Sequence, residues 1–327
     1  MGEVIAACRP MLLLVAGYLL AAAPVLGWGR DWPFRLVDGW LASGWLAGTA
    51  LMLLTARLRG RAAELLRPAR VAEALVVLAL ATPFQSTFNS LKQVLPRFAP
   101  YAWDQRLAAL DRGLHGGVEP WRLLAWAIRR PELLRLLDLI YVLWFPLLVG
   151  VIVWCGWSVR LRLRRRLLAA SFLAFILVGT VGAFAWSSAG PCYYGRLVPG
   201  PDPFAELVGS LERRVDEEGM LLFAVDNQRG LWEAWQAGRS LPFGGISAMP
   251  SMHVAMVVLI ALAAGATGRR AGTVAWLFAL VTFAGSVALG WHYALDGYVA
   301  GLAAWAIWAW VGRWPSIRRL PERLSDV

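Results

Sequence analysis

The chain has 327 residues, 59% of them hydrophobic, and its mean hydropathy is +0.56. A soluble domain does not need so much apolar sequence, so the composition indicates a membrane protein. The net charge of +11 comes almost entirely from arginine, and its distribution, described below, indicates membrane topology rather than nucleic-acid binding. The three cysteines, Cys8, Cys155 and Cys192, lie far apart and fit neither a disulfide framework nor a metal site.

Eight apolar stretches each come close to the roughly 20 residues that a helix needs to cross a bilayer core. They predict an all-α, polytopic membrane bundle of about eight transmembrane helices. The predicted spans are residues 11–28, 40–56, 71–91, 137–157, 167–187, 252–267, 272–290 and 296–312. The sixth and the eighth are short.

The spans suggest a division into three parts. We expect N-terminal transmembrane helices 1–3 in residues 1–91 and an extracytoplasmic interfacial segment in residues 92–136. A catalytic membrane domain with an outer loop at 188–250 is expected in residues 137–327.

The first span has two interpretations. Its short basic start, apolar core and small residues at Ala21–Ala23 resemble a secretory signal peptide. Glu3 and the length of the apolar run favour a retained anchor instead, and the remaining topology is the same in either case.

Arginine placement predicts the orientation of the spans. Arginines cluster in the loops 57–70, 158–166 and 268–271 and in the tail, and Arg9 precedes the first span. With eight spans, all of these fall on one side, which the positive-inside rule assigns to the cytoplasm. We therefore expect a multi-pass protein of the cell (inner) membrane with both termini in the cytoplasm.

Two outer loops are long enough to carry structure of their own. Residues 104–112 form an amphipathic stretch, and a second helix is predicted from Pro120 to about Arg130, both suited to the membrane interface. His115 lies between them and is interpreted as a solvated or capping residue. The loop 188–250 contains a charged amphipathic segment around 203–218 and is expected to form a cap.

The remaining two histidines carry the candidate chemistry. His253 follows Ser251 in Ser247–His253, and His292 precedes Asp296 by four residues, a spacing that places both side chains on one face of a helix. The topology places both histidines on the extracytoplasmic side. Imidazoles can accept a proton or a phosphoryl group, and a carboxylate can hold one in a single tautomer. The alternative is two unrelated interfacial histidines.

These segments carry a family resemblance. Ser-Ala-Met-Pro-Ser-Met-His at 247–253 and Gly-Trp-His-Tyr-Ala-Leu-Asp-Gly-Tyr-Val-Ala-Gly at 290–301 resemble the type 2 phosphatidic acid phosphatase superfamily. The more similar branch contains inositol phosphorylceramide synthase and sphingomyelin synthase, in which His-Tyr-x-x-Asp is typical. Residues 104–120 and 190–194 also resemble that branch. The resemblance implies a helical core of the phosphatidic acid phosphatase type, with its active site at the outer membrane face.

The resemblance also implies residue roles. His292 would be the nucleophile, Asp296 its partner and His253 the acid that protonates the leaving group. No metal or cofactor would be needed. The reaction would be transfer of phosphate from a phospholipid or lipid phosphate, through a phosphohistidine, to water or to a lipid hydroxyl.

The sequence departs from the phosphatase branch in two places. The Lys-x6-Arg-Pro segment of that branch is not matched by residues 92–97, and Ser286 occupies the position of an arginine six residues before the nucleophile. These departures favour the lipid phosphotransferase branch. A phosphate group still needs donors. The candidates are Lys92, Arg97, Arg196, Ser251 and Tyr293, and for each cation a solvated or headgroup-facing charge is an equal alternative.

Other classes of protein remain possible at this point. A vanadate-dependent haloperoxidase binds an oxyanion at a similar site, but the membrane spans and the missing arginine argue against it. A non-catalytic transporter or scaffold could keep the histidines for proton or ligand binding. The head group, the lipid tail and the acceptor are not specified by the sequence.

Overall fold

The computed structural model describes residues 2–27, 34–60, 62–241 and 243–322, and every regular element within those ranges is helical. The all-α fold class is therefore confirmed. In chain order the α-helices are α1 (Gly2–Leu26), α2 (Phe34–Leu58), α3 (Ala62–Leu65), α4 (Pro68–Phe98), α5 (Asp104–Leu114), α6 (Pro120–Leu123), α7 (Ala125–Ile128), α8 (Pro131–Val142), α9 (Trp144–Trp157), α10 (Leu161–Ile176), α11 (Ala183–Ala185), α12 (Tyr194–Leu197), α13 (Ala205–Asp216), α14 (Phe223–Gln236), α15 (Met252–Gly265), α16 (Arg269–Ala288), α17 (Ala294–Val311) and α18 (Pro315–Arg318). A π-helical turn, Leu177–Gly182, joins α10 to α11, and a 3-10 turn, Pro191–Tyr193, precedes α12.

Seven helical stretches within the described residues are long and apolar enough to cross a membrane. They are Arg9–Leu26, Leu41–Leu58, Pro68–Phe98, Pro131–Trp157, Leu161–Ala185, Arg269–Ala288 and Ala294–Val311. All seven coincide with predicted spans and fit an integral multi-pass membrane protein. The predicted sixth span forms the 14-residue helix α15, which at about 1.5 Å per residue is shorter than a hydrocarbon core of about 30 Å.

Several boundaries differ from the predicted ones. Helix α4 runs on to Phe98 and so includes Lys92 and Arg97, which the sequence placed in a loop. The second interfacial helix is broken at Leu124 into α6 and α7. Helix α14 was not predicted at all, because the polar and aromatic residues between 223 and 236 gave no clear apolar periodicity.

The chain divides into two compact units, and the first comprises Met1–Leu91, Phe145–Ile176 and Ala306–Val327. Its core contains aromatic contacts between Phe84 of α4 and Tyr18, Phe172 and Phe175, with ring centroids 4.8, 4.5 and 6.1 Å apart. Aromatic pairs of this kind add to the burial energy of helix packing.

The basic segment 158–166 in this first unit is not a solvated loop. Helix α10 begins at Leu161, and the side chains of Arg164 and Arg165 are 2% and 4% exposed. Arg164 donates to the Glu73 carboxylate and to the Gly156 carbonyl near the end of α9. A buried guanidinium requires such partners, so these arginines also tie α10 to α4 and α9.

The second unit comprises Lys92–Trp144 and Leu177–Trp305. Helices α15 and α16 pack side by side, and α16 also packs on α8. Helix α13 buries Leu207 and Leu211 in the same core as Leu289, and Leu222, just before α14, joins them. Because this unit contains both His253 and His292, the candidate site can be described within it.

Candidate active site

His292 lies in the short connection between α16 and α17. The backbone N–H groups of Trp291 and His292 both donate to the Ser286 carbonyl, at 3.0 and 3.1 Å, which closes a tight turn after α16. His292 therefore precedes α17, which begins at Ala294, and lies in the turn before the helix that carries Asp296. The two side chains still meet, because Asp296 in the first turn of α17 faces back toward the turn.

Asp296 fixes the orientation of the His292 ring. The Asp296 side chain is fully buried, and its Oδ2 accepts from His292 Nδ1 at 3.2 Å and from the Tyr293 backbone N–H at 3.0 Å. We assign the proton to Nδ1 because a carboxylate can only accept. The other ring nitrogen, Nε2, then carries the lone pair.

His253, in the first turn of α15, lies beside His292. Ser251 caps α15: its Oγ accepts from the Val254 N–H at 3.4 Å, as serine commonly does at a helix start. The Ser251 N–H donates to the Asp296 carbonyl at 3.2 Å, which links the two motifs directly. As a result, the His253 and His292 ring centroids lie 5.9 Å apart in an edge-to-face arrangement.

Aromatic rings enclose His253. The Tyr141 ring stacks on the imidazole at a centroid distance of 4.7 Å, and Trp144 lies 4.4 Å away at a tilt of 46°. These rings restrict the rotation of the imidazole.

Two buried aspartates on α5 hold the backbone around the site. Asp104 accepts from the N–H groups of Ala189 and Gly190, both at 2.8 Å, and from the Tyr293 hydroxyl at 2.9 Å. Asp111, two helical turns later, accepts from the first two N–H groups of α17, those of Ala294 and Leu295. The side chain of Asp111 therefore caps the helix that carries Asp296.

Burial raises the pKa of the Asp104 and Asp111 carboxyls, and the hydrogen bonds from the backbone N–H groups oppose that rise. Both residues belong to the predicted amphipathic stretch 104–112, but neither was predicted to be a site residue. The available signal was their spacing of seven, which puts two carboxylates on one face of a helix.

The other predicted site residues are placed as follows. The Tyr293 side chain is buried, and its hydroxyl donates to Asp104. Arg97 is exposed at the end of α4. Arg196 is paired with Glu212 at 3.8 Å and lies over the Trp232 ring.

His115, which was not predicted to be catalytic, contacts the Asp111 carbonyl and the Tyr298 hydroxyl.

Lys92 is the predicted phosphate-binding cation that interacts electrostatically with His253. Its charge is within electrostatic range of His253, and its backbone packs on Gly245, six residues before Ser251. A Cβ on Gly245 would come within 2.9 Å of the Lys92 Cγ. Glycine at that position therefore allows the chain leading to Ser251 to lie directly against the end of α4.

A family model described as "PAP2 superfamily" matches residues 105–311, which is more than half of the chain. The chain belongs to the PAP2 superfamily, whose members are generally phosphatases and phosphotransferases. The match includes both histidine motifs and the loop 188–250 that leads to the first of them. Comparison with curated proteins and with solved structures gives no match.

Gly190 provides a test of how tightly the site is packed. It has a φ of +100°, and a Cβ there would lie 2.5 Å from the Trp291 carbonyl oxygen. Gly200 has nearly the same φ, +102°, but open space around its Cβ direction. We expect Gly190→Ala to destabilise the protein by about 1–3 kcal/mol more than Gly200→Ala, because overpacking adds to the shared backbone strain.

Thermal unfolding of the two purified variants in the same detergent measures this difference. Gly190→Ala should also lower turnover, since the clash is with the residue preceding His292. Equal melting temperatures for the two variants would contradict the close packing of the 189–190 segment on Trp291.

Proposed function

We propose that the protein is an integral membrane lipid phosphotransferase or lipid phosphatase that works through a phosphohistidine on His292. The observation that carries the proposal is the pairing of two imidazoles, one of them buried and anchored through Nδ1 by Asp296. Membership of the PAP2 superfamily and the apolar helices support a lipid phosphate ester as the substrate class.

The first chemical step forms the covalent intermediate. The lone pair on His292 Nε2 attacks phosphorus, and the bond between phosphorus and the leaving oxygen breaks. His253 gives its proton to that oxygen, so that the lipid alcohol departs neutral. The Asp296 carboxylate stabilises the positive charge that develops on the His292 ring.

The second step reverses these roles. Neutral His253 takes a proton from the acceptor hydroxyl, whose oxygen attacks phosphorus and breaks the P–N bond to His292. Water as acceptor releases inorganic phosphate or a phosphorylated head group, and a lipid hydroxyl gives a new phospholipid. During both steps Lys92 and the Ser251 hydroxyl are the proposed donors to the phosphoryl oxygens.

We place this chemistry at the extracytoplasmic face. The support is the distribution of arginines, which favours a cytoplasmic location for the loops opposite the two histidines. Within the superfamily, we favour the branch of inositol phosphorylceramide synthase and sphingomyelin synthase. The support is the His-Tyr-x-x-Asp sequence at 292–296 and serine at position 286.

The experiment that tests the reaction uses the purified protein in detergent or vesicles. It is incubated with isotopically labelled phosphatidic acid and phosphatidylinositol, with and without diacylglycerol and ceramide, and the products are resolved by mass spectrometry. Labelled head group on an added lipid alcohol would establish the transferase. Release of phosphate with no transfer would establish the phosphatase, and no turnover of any substrate would favour a non-catalytic role.

Topology gives a separate prediction. With eight crossings, a reporter fused after Val327 should report the cytoplasm, and a tag inserted near Glu218 should be accessible from outside intact cells. The critical element is the short helix α15, because a protein in which α15 does not cross has Val327 and Glu218 on the same side. Finding both markers on one side would therefore contradict the eight-span topology.

A further inference from the structure

Tyr141 contacts both halves of the candidate site. It lies at the end of α8, and its side chain is 5% exposed. Its ring stacks on His253 and is nearly parallel to that of Trp291, the neighbour of His292, with centroids 4.7 and 6.4 Å away. Ring stacking of this kind also occurs in ordinary side-chain packing. The surroundings of the Tyr141 hydroxyl therefore distinguish a functional role from packing.

The Tyr141 hydroxyl is a buried donor with no partner among the described residues. It is within electrostatic range of the Asp296 carboxylate and of the Cys192 thiol. Burying a hydroxyl without a hydrogen bond is costly, so a buried hydroxyl next to a reactive centre indicates a partner not yet counted.

Asp296 offers the complementary atom. Its Oδ2 accepts both of the hydrogen bonds described above, while its Oδ1 is equally buried and has no partner among the described residues. A donor without an acceptor thus lies near an acceptor without a donor. A bridging water accepts from such a donor and donates to such an acceptor.

We propose that Tyr141 is a positioning residue for both histidines: its ring holds the plane of His253, and its hydroxyl donates to Asp296 Oδ1, directly or through one water. This inference rests on the proposed function. The hydroxyl fixes the carboxylate that orients His292, whereas the ring fixes the group that protonates the leaving oxygen. A single side chain on α8 therefore aligns nucleophile and acid.

Two substitutions separate the hydroxyl from the ring. Tyr141→Phe removes only the hydroxyl, and Tyr141→Leu removes the stacking as well. Rates are measured with phosphatidic acid, which has a poor leaving group, and with an aryl phosphate, which has a good one. Tyr298→Phe is the matched control, because it removes a tyrosine hydroxyl that contacts His115 rather than the site.

We expect Tyr141→Phe to slow both substrates by a similar factor of about 10 to 100, as is typical when a group supporting a catalytic residue is lost. Tyr141→Leu should lose further rate on the lipid but little on the aryl phosphate, because only the lipid depends on His253 as acid. Tyr298→Phe should keep the wild-type rates.

A double-substitution experiment identifies the atom through which the hydroxyl acts. In an Asp296→Asn background, Tyr141→Phe should have little further effect on the aryl phosphate rate, because both changes act through the same carboxylate. If Tyr141→Phe lowered the aryl phosphate rate as strongly in the Asp296→Asn background as in the wild type, the proposal would be overturned. The hydroxyl would then be assigned to the substrate instead. Wild-type rates in Tyr141→Phe would overturn it while leaving the proposed function intact, whereas an inactive wild-type protein would overturn the proposed function itself.

Discussion

Replacing His292 with alanine should abolish turnover of every substrate. No other described side chain within the site can form the same covalent intermediate, since the Asp296 carboxylate is fully buried behind the ring and His253 is proposed to hold a proton. Loss of a covalent nucleophile commonly costs several orders of magnitude in rate, about 10⁶-fold where it has been separated from binding. The rate of product formation by the purified variant, in the same detergent as the wild type, measures the effect.

His115→Ala is the matched control for this experiment. It removes the third histidine of the chain, which contacts the Asp111 carbonyl and Tyr298 and lies outside the proposed chemistry. That variant should keep most of the activity. If His292→Ala retained turnover while remaining folded, His292 would not be the nucleophile.

Replacing His253 with alanine should give a loss that depends on the leaving group. General acid catalysis is commonly worth about 10²–10⁴ in rate, and this contribution is needed only when the departing oxygen is strongly basic. We therefore expect His253→Ala to lose about that factor on a phospholipid and much less on an aryl phosphate. A plot of rate against leaving-group pKa, for wild type and variant, displays the difference as a change of slope.

An equal loss on good and poor leaving groups would contradict the assignment of His253 as the acid. It would instead indicate that His253 stabilises the phosphoryl group in both cases. Because Tyr141 and Trp144 pack on the same imidazole, the folded state of the variant needs to be checked by its melting temperature.

Helix α5 supports the candidate site from a distance. Helix α5 contributes no side chain to the reaction, yet its two aspartates bind the backbone at 189–190 and at the start of α17. Backbone N–H groups at a helix start need acceptors, and α17 obtains them from a distant helix. The position of Asp296, and through it of His292, thus depends on helix α5, which precedes both histidine motifs in the chain.

The sequence predicted the features that depend only on residues close together in the chain. Long apolar runs identified seven of the membrane-spanning helices, because hydropathy depends only on the residues of the run itself. The spacing of four between His292 and Asp296 correctly predicted their contact, although the histidine lies in a turn and not on the helix. The superfamily was likewise predicted from two short motifs and is confirmed by the family match.

Contacts between distant segments were not predictable from these patterns. Asp104 and Tyr293 are 189 positions apart, and nothing in either local sequence shows that their side chains meet. Tyr141 is one of several aromatic residues in a predicted membrane span, and no local feature of the sequence marks it as a site residue. Its place against His253 follows only from the packing of α8 on α16, next to α15.

The central claim is that His292 carries the phosphoryl group, and trapping the intermediate tests it most directly. The wild-type protein is mixed with a lipid substrate labelled in its phosphate, quenched in alkali within one turnover, and digested for mass spectrometry. Alkaline quenching is chosen because a phosphoramidate bond to histidine is lost in acid. We expect the label on the peptide containing His292 and no trapped label in His292→Ala, whereas label on His253, or turnover without any labelled protein, would contradict the account.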